Sequence, residues 1–151
     1  ELDLYGTVRG AVCCLDSVNY FTDLRELKRV FSRVSLFLEP GGLFLFDIKS
    51  RGLFLELNGT ASIQETEDFF CSWQYGFDPR SGRGMHQVDI FQKTGDKYHR
   101  FTEIHEQRCY SIETLKSALF DAGFSTCDVY DGFTTKHAAN EKGRLLFVAR
   151  K

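Results

Sequence analysis

Polar side chains follow directly after two short apolar segments, and their types suit the binding of a small polar ligand. Asp16, Ser17, Asn19 and Tyr20 follow the first segment, and Asp47 follows the second. Carboxylate, amide and phenol groups can orient a ligand or hold charge beside a reacting centre. The same residue types are common in turns and helix caps, so a purely structural role stays open for Asp16, Asn19 and Asp47.

A strand, a helix and a second strand must position these residues. Residues 9–15 predict a continuous apolar strand buried on both faces, and residues 43–46 predict another. Between them, residues 22–38 predict a helix with one apolar stripe that ends at a Pro-Gly-Gly turn. Strands joined in this way are most simply parallel, so their polar ends meet at the sheet edge where ligands bind.

The middle of the chain, residues 51–110, predicts an antiparallel insertion of about three strands. Its segments rich in aromatic and β-branched residues are separated by turn signals and lie at 67–77, 86–93 and 98–110. An insertion of this length is typical of a functional segment. Trp73, Tyr75 and Phe77 alternate along one strand, where they either line a pocket or cover the sheet.

The C-terminal part returns to a regular pattern. Ser111 is expected to cap a helix that runs to about Ala122, with Gly123 as its stop. Strands at 124–130 and 144–150 complete the predicted sheet. The expected fold class is α/β, in a single domain.

Composition narrows the classes of function. The chain has 151 residues and a net charge of -2 without a basic cluster, so we expect no nucleic-acid partner. No run approaches the roughly 20 apolar residues that cross a bilayer, so we expect no membrane partner. The 5 cysteines lack a C-x-x-C spacing, which favours a reducing cytoplasm. Cys13 and Cys14 are expected as buried free thiols of the first strand.

Two further groups of residues admit two interpretations each. His99 and His105 share strand parity with Glu103, but cross-strand packing or solvation is more common than a metal site, and we predict no metal. Arg108 and Tyr110 precede the last helix, where we expect them to hold the insertion against the sheet rather than to bind a ligand.

Three motifs, in this order, resemble the C-terminal part of class I S-adenosylmethionine-dependent methyltransferases, in particular the small bacterial methyltransferase-domain type. They are LDSVNYF at 15–21, LEPGGLFLFDI at 38–48, and EIHEQRCYSIETLKSALFDAGF at 103–124, followed by RLLFVARK at 144–151. The resemblance implies a Rossmann-like methyltransferase fold, represented by its fourth to seventh strands with a β insertion over the active site.

The resemblance also implies a cofactor, a reaction and site residues. The cofactor would be S-adenosylmethionine, whose methyl group passes to a small-molecule acceptor. Leu15 and Asp16 would lie against the cofactor, while Asn19, Tyr20 and Asp47 would contact the acceptor. No catalytic residue is assigned, because the cofactor itself carries the electrophile.

One departure from the family pattern limits this interpretation. The chain has neither the Gly-rich loop after a first strand nor the acidic end of a second strand that bind the cofactor in such enzymes. We therefore expect residues 1–151 to be the C-terminal portion of a domain whose missing N-terminal part would pair with it. The alternative is a non-catalytic binding or assembly module that self-associates through an exposed sheet edge. The upstream sequence discriminates between the two.

Overall fold

Two four-stranded sheets organise residues 2–151, the part of the chain that this computed structural model describes. The first sheet has the order β1-β2-β8-β7, and its strands are Val8–Cys13, Leu38–Lys49, Arg144–Arg150 and Thr126–Asp131, respectively. The pair β1 and β2 is parallel, whereas β8 runs antiparallel to both of its neighbours. The parallel pair therefore delivers its polar ends to one edge, as the sequence predicted.

The helix between β1 and β2, α1 (Leu24–Phe37), forms for the reasons that the sequence indicates. Asp23 caps it by accepting a hydrogen bond from the Arg25 backbone N–H. Its apolar stripe packs against the first sheet, where Phe31 is fully buried among the rings of Phe44 and Phe46. The abundant phenylalanines thus supply the core.

The Pro-Gly-Gly segment differs from its prediction as a separate turn, because it lies inside β2. The residues facing Val8 and Gly10 across the pair are Leu38 and Leu43, so β2 bulges between them. Gly41 has a φ of 77°, a conformation that favours glycine. The bulge lets the chain pass directly from helix to strand.

The first strand was wrongly predicted to be buried on both faces. β1 lies at the edge of its sheet, and the Val12 side chain is 68% exposed. Cys14, predicted buried, is exposed, and Cys13 is only partly buried, because among residues 2–151 nothing pairs with the free side of β1. An apolar run alone does not distinguish a central strand from an edge strand.

The insertion contains more structure than predicted. A helix, α2 (Arg51–Leu57), precedes an antiparallel sheet of four strands in sequence order, which are β3 (Ala61–Glu65), β4 (Phe69–Asp78), β5 (Arg83–Thr94) and β6 (Lys97–Arg108). The sequence missed α2 because the helix has only 7 residues and buries only one of them. It missed β3 because every residue of that strand is exposed, so the alternation is absent.

The C-terminal helix, α3 (Ile112–Asp121), was predicted correctly. The Ser111 side chain accepts from the Thr114 backbone N–H, and Gly123 ends the helix with a φ of 92°. Across residues 2–151, none of the helices combines the length and apolar character needed to span a membrane.

Gly84 allows α2 to pack on the insertion. A Cβ at this position would overlap a ring carbon of Phe54, whose ring stacks on Phe77. We expect Gly84→Ala to lower the free energy of unfolding by about 1–3 kcal/mol through this overlap. Gly76→Ala is the matched control, because a Cβ there would meet its nearest neighbour at 3.8 Å. Urea denaturation of both variants measures the difference, and equal losses would contradict the expected overlap.

Candidate active site

Two consecutive non-glycine residues adopt left-handed backbone conformations directly after β1. Leu15 has a φ of 60° and Asp16 a φ of 48°, and a 3-10 turn at Ser17–Tyr20 follows. Each such conformation costs of order 1–3 kcal/mol and persists only where neighbouring contacts enforce it. Here the Asp16 backbone N–H donates to Asp47 Oδ2 at 3.0 Å. Strain of this kind concentrates at functional sites, so the turn is a candidate site.

A charged cluster holds this turn from beneath; it consists of Asp16, Asp47, Lys49 and Arg144, together with Gln107. Lys49 Nζ and Arg144 Nη2 lie 3.0 and 2.8 Å from the two carboxylate oxygens of Asp16. Arg144 Nη1 also donates to Asp47. Gln107 donates to Asp16 at 2.8 Å and accepts from Lys49 at 3.0 Å. The two carboxylates and two cations balance, so the cluster carries no net charge.

The cluster keeps Asp16 ionised although it is buried. Burial alone would raise the pKa of the Asp16 carboxyl group, but the Lys49 charge and the hydrogen bonds from Gln107, Lys49 and Arg144 together lower it. For Arg144, burial would lower the pKa, and the hydrogen bonds to Asp16 and Asp47 raise it instead. Both groups therefore remain charged at neutral pH.

The predicted site residues do lie together at this edge, but their side chains differ in exposure. Leu15 is 78% exposed, so its apolar side chain is free to contact a ligand. Asp16 and Asp47 are buried in the charged cluster. Asp47 lies two residues before the end of β2 rather than at its end, and its Oδ1 atom is buried with no hydrogen-bond partner among residues 2–151.

Asn19 joins the two sheets. Its side chain is fully buried, donates to the Arg108 carbonyl at 2.9 Å and accepts from the Lys49 backbone N–H at 2.9 Å. Arg108 is the last residue of β6, so this amide fixes the end of the insertion to β2. Tyr110 strengthens the same junction by donating to the Phe21 carbonyl at 2.6 Å, in the holding role predicted for it.

Tyr20 faces an aromatic wall provided by the insertion. Its hydroxyl lies 3.3 Å from His86 Nε2, and its ring meets the ring of His105 edge-to-face. His86 stacks on His105 across β5 and β6 with ring centroids 4.8 Å apart. Trp73 and Tyr75 on β4 also pack near His86 and line this wall. Phe77, the third of the alternating aromatics, is instead buried against Phe54 of α2.

Sequence reasoning missed Lys49, Gln107, Arg144 and His86. A partial signal existed for Lys49, which shares strand parity with Asp47, and for Arg144, which opens the final strand and pairs with Lys49. Gln107 and His86 lie on the insertion, and their approach to Asp16 and Tyr20 depends on how that sheet folds back over the first. No local pattern in the sequence indicates how the second sheet packs against the first.

Proteins of similar sequence and structure share one named activity. No sequence-family profile matches the chain. It is 30% identical over 147 residues to "Putative methyltransferase YqeM" of Bacillus subtilis, covering 97% of this chain and 60% of that protein. A crystal structure of an S-adenosylmethionine-dependent methyltransferase from Clostridium acetobutylicum superposes with a TM-score of 0.86 at 28% identity, covering 99% of this chain and 61% of the other.

A more distant neighbour shows the same fold. CalS10, an amino pentose methyltransferase from Micromonospora echinaspora with bound S-adenosylmethionine, superposes with a TM-score of 0.74 at 18% identity, covering 99% of this chain and 61% of that one. The predicted Rossmann-like α/β fold with a β insertion is thereby confirmed. The chain spans about 60% of the length of the relative from Bacillus subtilis.

Proposed function

We propose that this chain, which belongs to the class I S-adenosylmethionine-dependent methyltransferases, is the C-terminal part of an enzyme that methylates a small-molecule acceptor. The observation that carries the proposal is the strained turn at Leu15 and Asp16. It lies at the polar edge of the parallel strands, beneath the aromatic wall of the insertion. In open α/β sheets this edge is where ligands bind.

The residues at the turn fit S-adenosylmethionine in two ways. Leu15 offers an exposed apolar side chain to the cofactor, and its left-handed backbone conformation is one that costs free energy for leucine. Both Asp16 carboxylate oxygens are already occupied by protein donors, so we assign its contact with the cofactor to the backbone. The charged cluster carries no net charge, so it supports the turn without placing an uncompensated charge beside the sulfonium of the cofactor.

The bound cofactor supplies the methyl group as an electrophile on a sulfonium. The chain's own residues then have to bind, orient and exclude water. We assign Tyr20 and the wall of Trp73, Tyr75 and His86 to the acceptor side. Asn19 and Asp47 are proposed to act at the acceptor side by fixing the insertion and the turn, since both are buried.

The exposed edge of β1 supports the proposal that a longer chain completes the domain. Val12 on this edge is apolar and largely exposed, and an unpaired edge strand is a ready template for another strand. We propose that upstream residues pair there and bring the Gly-rich loop. The same edge also favours the second candidate, an assembly module that pairs with another chain. The cytoplasm is the proposed compartment for the enzyme.

Calorimetric titration of S-adenosylmethionine tests the proposal. We expect saturable, micromolar binding by the proposed longer protein that includes the Gly-rich loop, and much weaker binding by residues 1–151 alone. The difference arises because the missing loop would hold much of the cofactor. A longer protein that folds but binds no S-adenosylmethionine would contradict the enzyme and favour the assembly module, which size measurements on residues 1–151 would then reveal as an oligomer.

A further inference from the structure

Tyr20 and His86 form a contact whose direction decides what Tyr20 offers to a ligand. The Tyr20 hydroxyl oxygen and His86 Nε2 are 3.3 Å apart, and the rings meet edge-to-face. His86 is only 4% exposed, whereas Tyr20 is 42% exposed. The phenol therefore has a buried imidazole on one side and the proposed transfer site on the other.

The surroundings of His86 keep its imidazole neutral. Burial lowers the pKa of His86 to about 4, and the charge of Lys49 and the neighbouring His105 act in the same direction, against a smaller opposing effect of Asp16. From β6, Glu103 is paired with His105 at 3.1 Å. A neutral imidazole carries one N–H donor and one bare nitrogen acceptor.

The chemistry of the two groups fixes which one donates. A phenol, with an ordinary pKa of about 10, is a much stronger acid than a neutral imidazole N–H. The bare imidazole nitrogen is in turn a better acceptor than a phenol oxygen. The stronger arrangement therefore has the Tyr20 hydroxyl donating to His86 Nε2, with the imidazole proton on Nδ1. Once its only proton is engaged there, Tyr20 presents lone pairs to the transfer site.

We propose that His86 is a positioning residue that holds Tyr20 as a hydrogen-bond acceptor. The site then selects methyl acceptors whose nucleophilic atom carries a hydrogen. These are primary and secondary amines and hydroxyls. This inference rests on the proposed function. Tyr20 accepts the N–H or O–H and leaves a lone pair of the nucleophile directed at the methyl group. The new bond to carbon forms as the S–CH₃ electron pair returns to sulfur, and the nucleophile's proton passes to solvent water.

Nitrogen NMR of the longer protein, labelled with ¹⁵N-histidine, tests the direction of this hydrogen bond. His86→Asn assigns the resonances, and His86→Gln serves if that variant does not fold. We expect a protonated Nδ1, a bare but hydrogen-bonded Nε2, and no titration of this ring near the ordinary histidine value of about 6.5. Tyr20→Phe should move the Nε2 resonance towards that of a free imidazole nitrogen.

Tyr75→Phe is the matched control, because Tyr75 packs near His86 with ring centroids 5.9 Å apart but makes no hydrogen bond to it. It should leave the Nε2 resonance unchanged. A protonated His86 Nε2, or an Nε2 resonance that does not change in Tyr20→Phe, would overturn the inference, because the Tyr20 hydroxyl proton would then point towards the methyl acceptor. Loss of S-adenosylmethionine binding is measured separately, so failure of the proposed function would be distinguished from failure of this inference.

Discussion

Replacing Leu15 with asparagine is expected to stabilise the fold while it weakens S-adenosylmethionine binding. Asparagine tolerates the left-handed region far better than leucine, so relief at a φ of 60° should raise the free energy of unfolding by about 0.5–1 kcal/mol. Loss of the proposed apolar contact with the cofactor should cost about 1.5–3 kcal/mol of binding, which corresponds to a roughly 10- to 150-fold weaker affinity. Calorimetry and urea denaturation of the longer protein proposed above measure the two effects.

Leu36→Asn is the control for this trade-off. Leu36 is also a largely exposed leucine, but it lies on α1 in ordinary helical conformation. Its replacement should leave S-adenosylmethionine affinity unchanged and should not stabilise the protein. A Leu15→Asn protein that binds S-adenosylmethionine as tightly as the original would remove Leu15 from the cofactor site, even if the fold became more stable.

The elements at this edge were predictable because local chemistry determines them. The apolar stripe of α1 and the caps at Asp23 and Ser111 each depend on residues only a few positions apart. The parallel pairing of β1 and β2 followed from the helix between them, and Arg144–Arg150 was identified with its observed bounds. In each case the signal lies within the segment itself.

The chemistry beneath the turn was not predictable in the same way. Asp16 is bonded to Gln107, which is 91 residues away, and to Arg144, which is 128 residues away. Polar residues at turns are so common that a cap stayed open as an alternative role for Asp16, and nothing in the sequence paired it with two cations. The edge position of β1 was equally hidden, because exposure depends on which strand lies alongside and not on the residues of β1 themselves.

The charged cluster stabilises the strained backbone of the turn. Two left-handed residues in succession would relax without support, and the hydrogen bond from the Asp16 backbone to Asp47 supplies it. Asp47 is held in turn by Arg144, so the cation on β8 fixes the backbone after β1 through two carboxylates. Folding of the first sheet and of the insertion must therefore both be complete before the site has its shape.

Arg144→Met should accordingly destabilise the protein strongly and reshape its response to acid. Removing one partner of a buried pair leaves carboxylates without compensation, and we expect a loss of about 3 kcal/mol, at the low end for buried pairs because the Arg144 side chain remains 28% exposed. The pKa of Asp16 is lowered in the fold, so its contribution to stability is present above its unfolded value of about 3.9 and is lost as the pH falls further. In Arg144→Met that pKa should rise towards or above the unfolded value, so this contribution should shrink or reverse.

Arg150→Met on the same strand provides the comparison. Arg150 is exposed, and within residues 2–151 its side chain makes one hydrogen bond, to the Gly41 carbonyl at 3.0 Å. Its replacement should therefore cost less than about 1 kcal/mol and leave the acid response unchanged. Urea denaturation at a series of pH values measures both variants. Equal losses in the two would mean that the cluster does not stabilise the turn. A large loss confined to Arg144→Met, with a weaker dependence on acid than in the original protein, would identify the Asp16 carboxylate as a group whose charge Arg144 compensates.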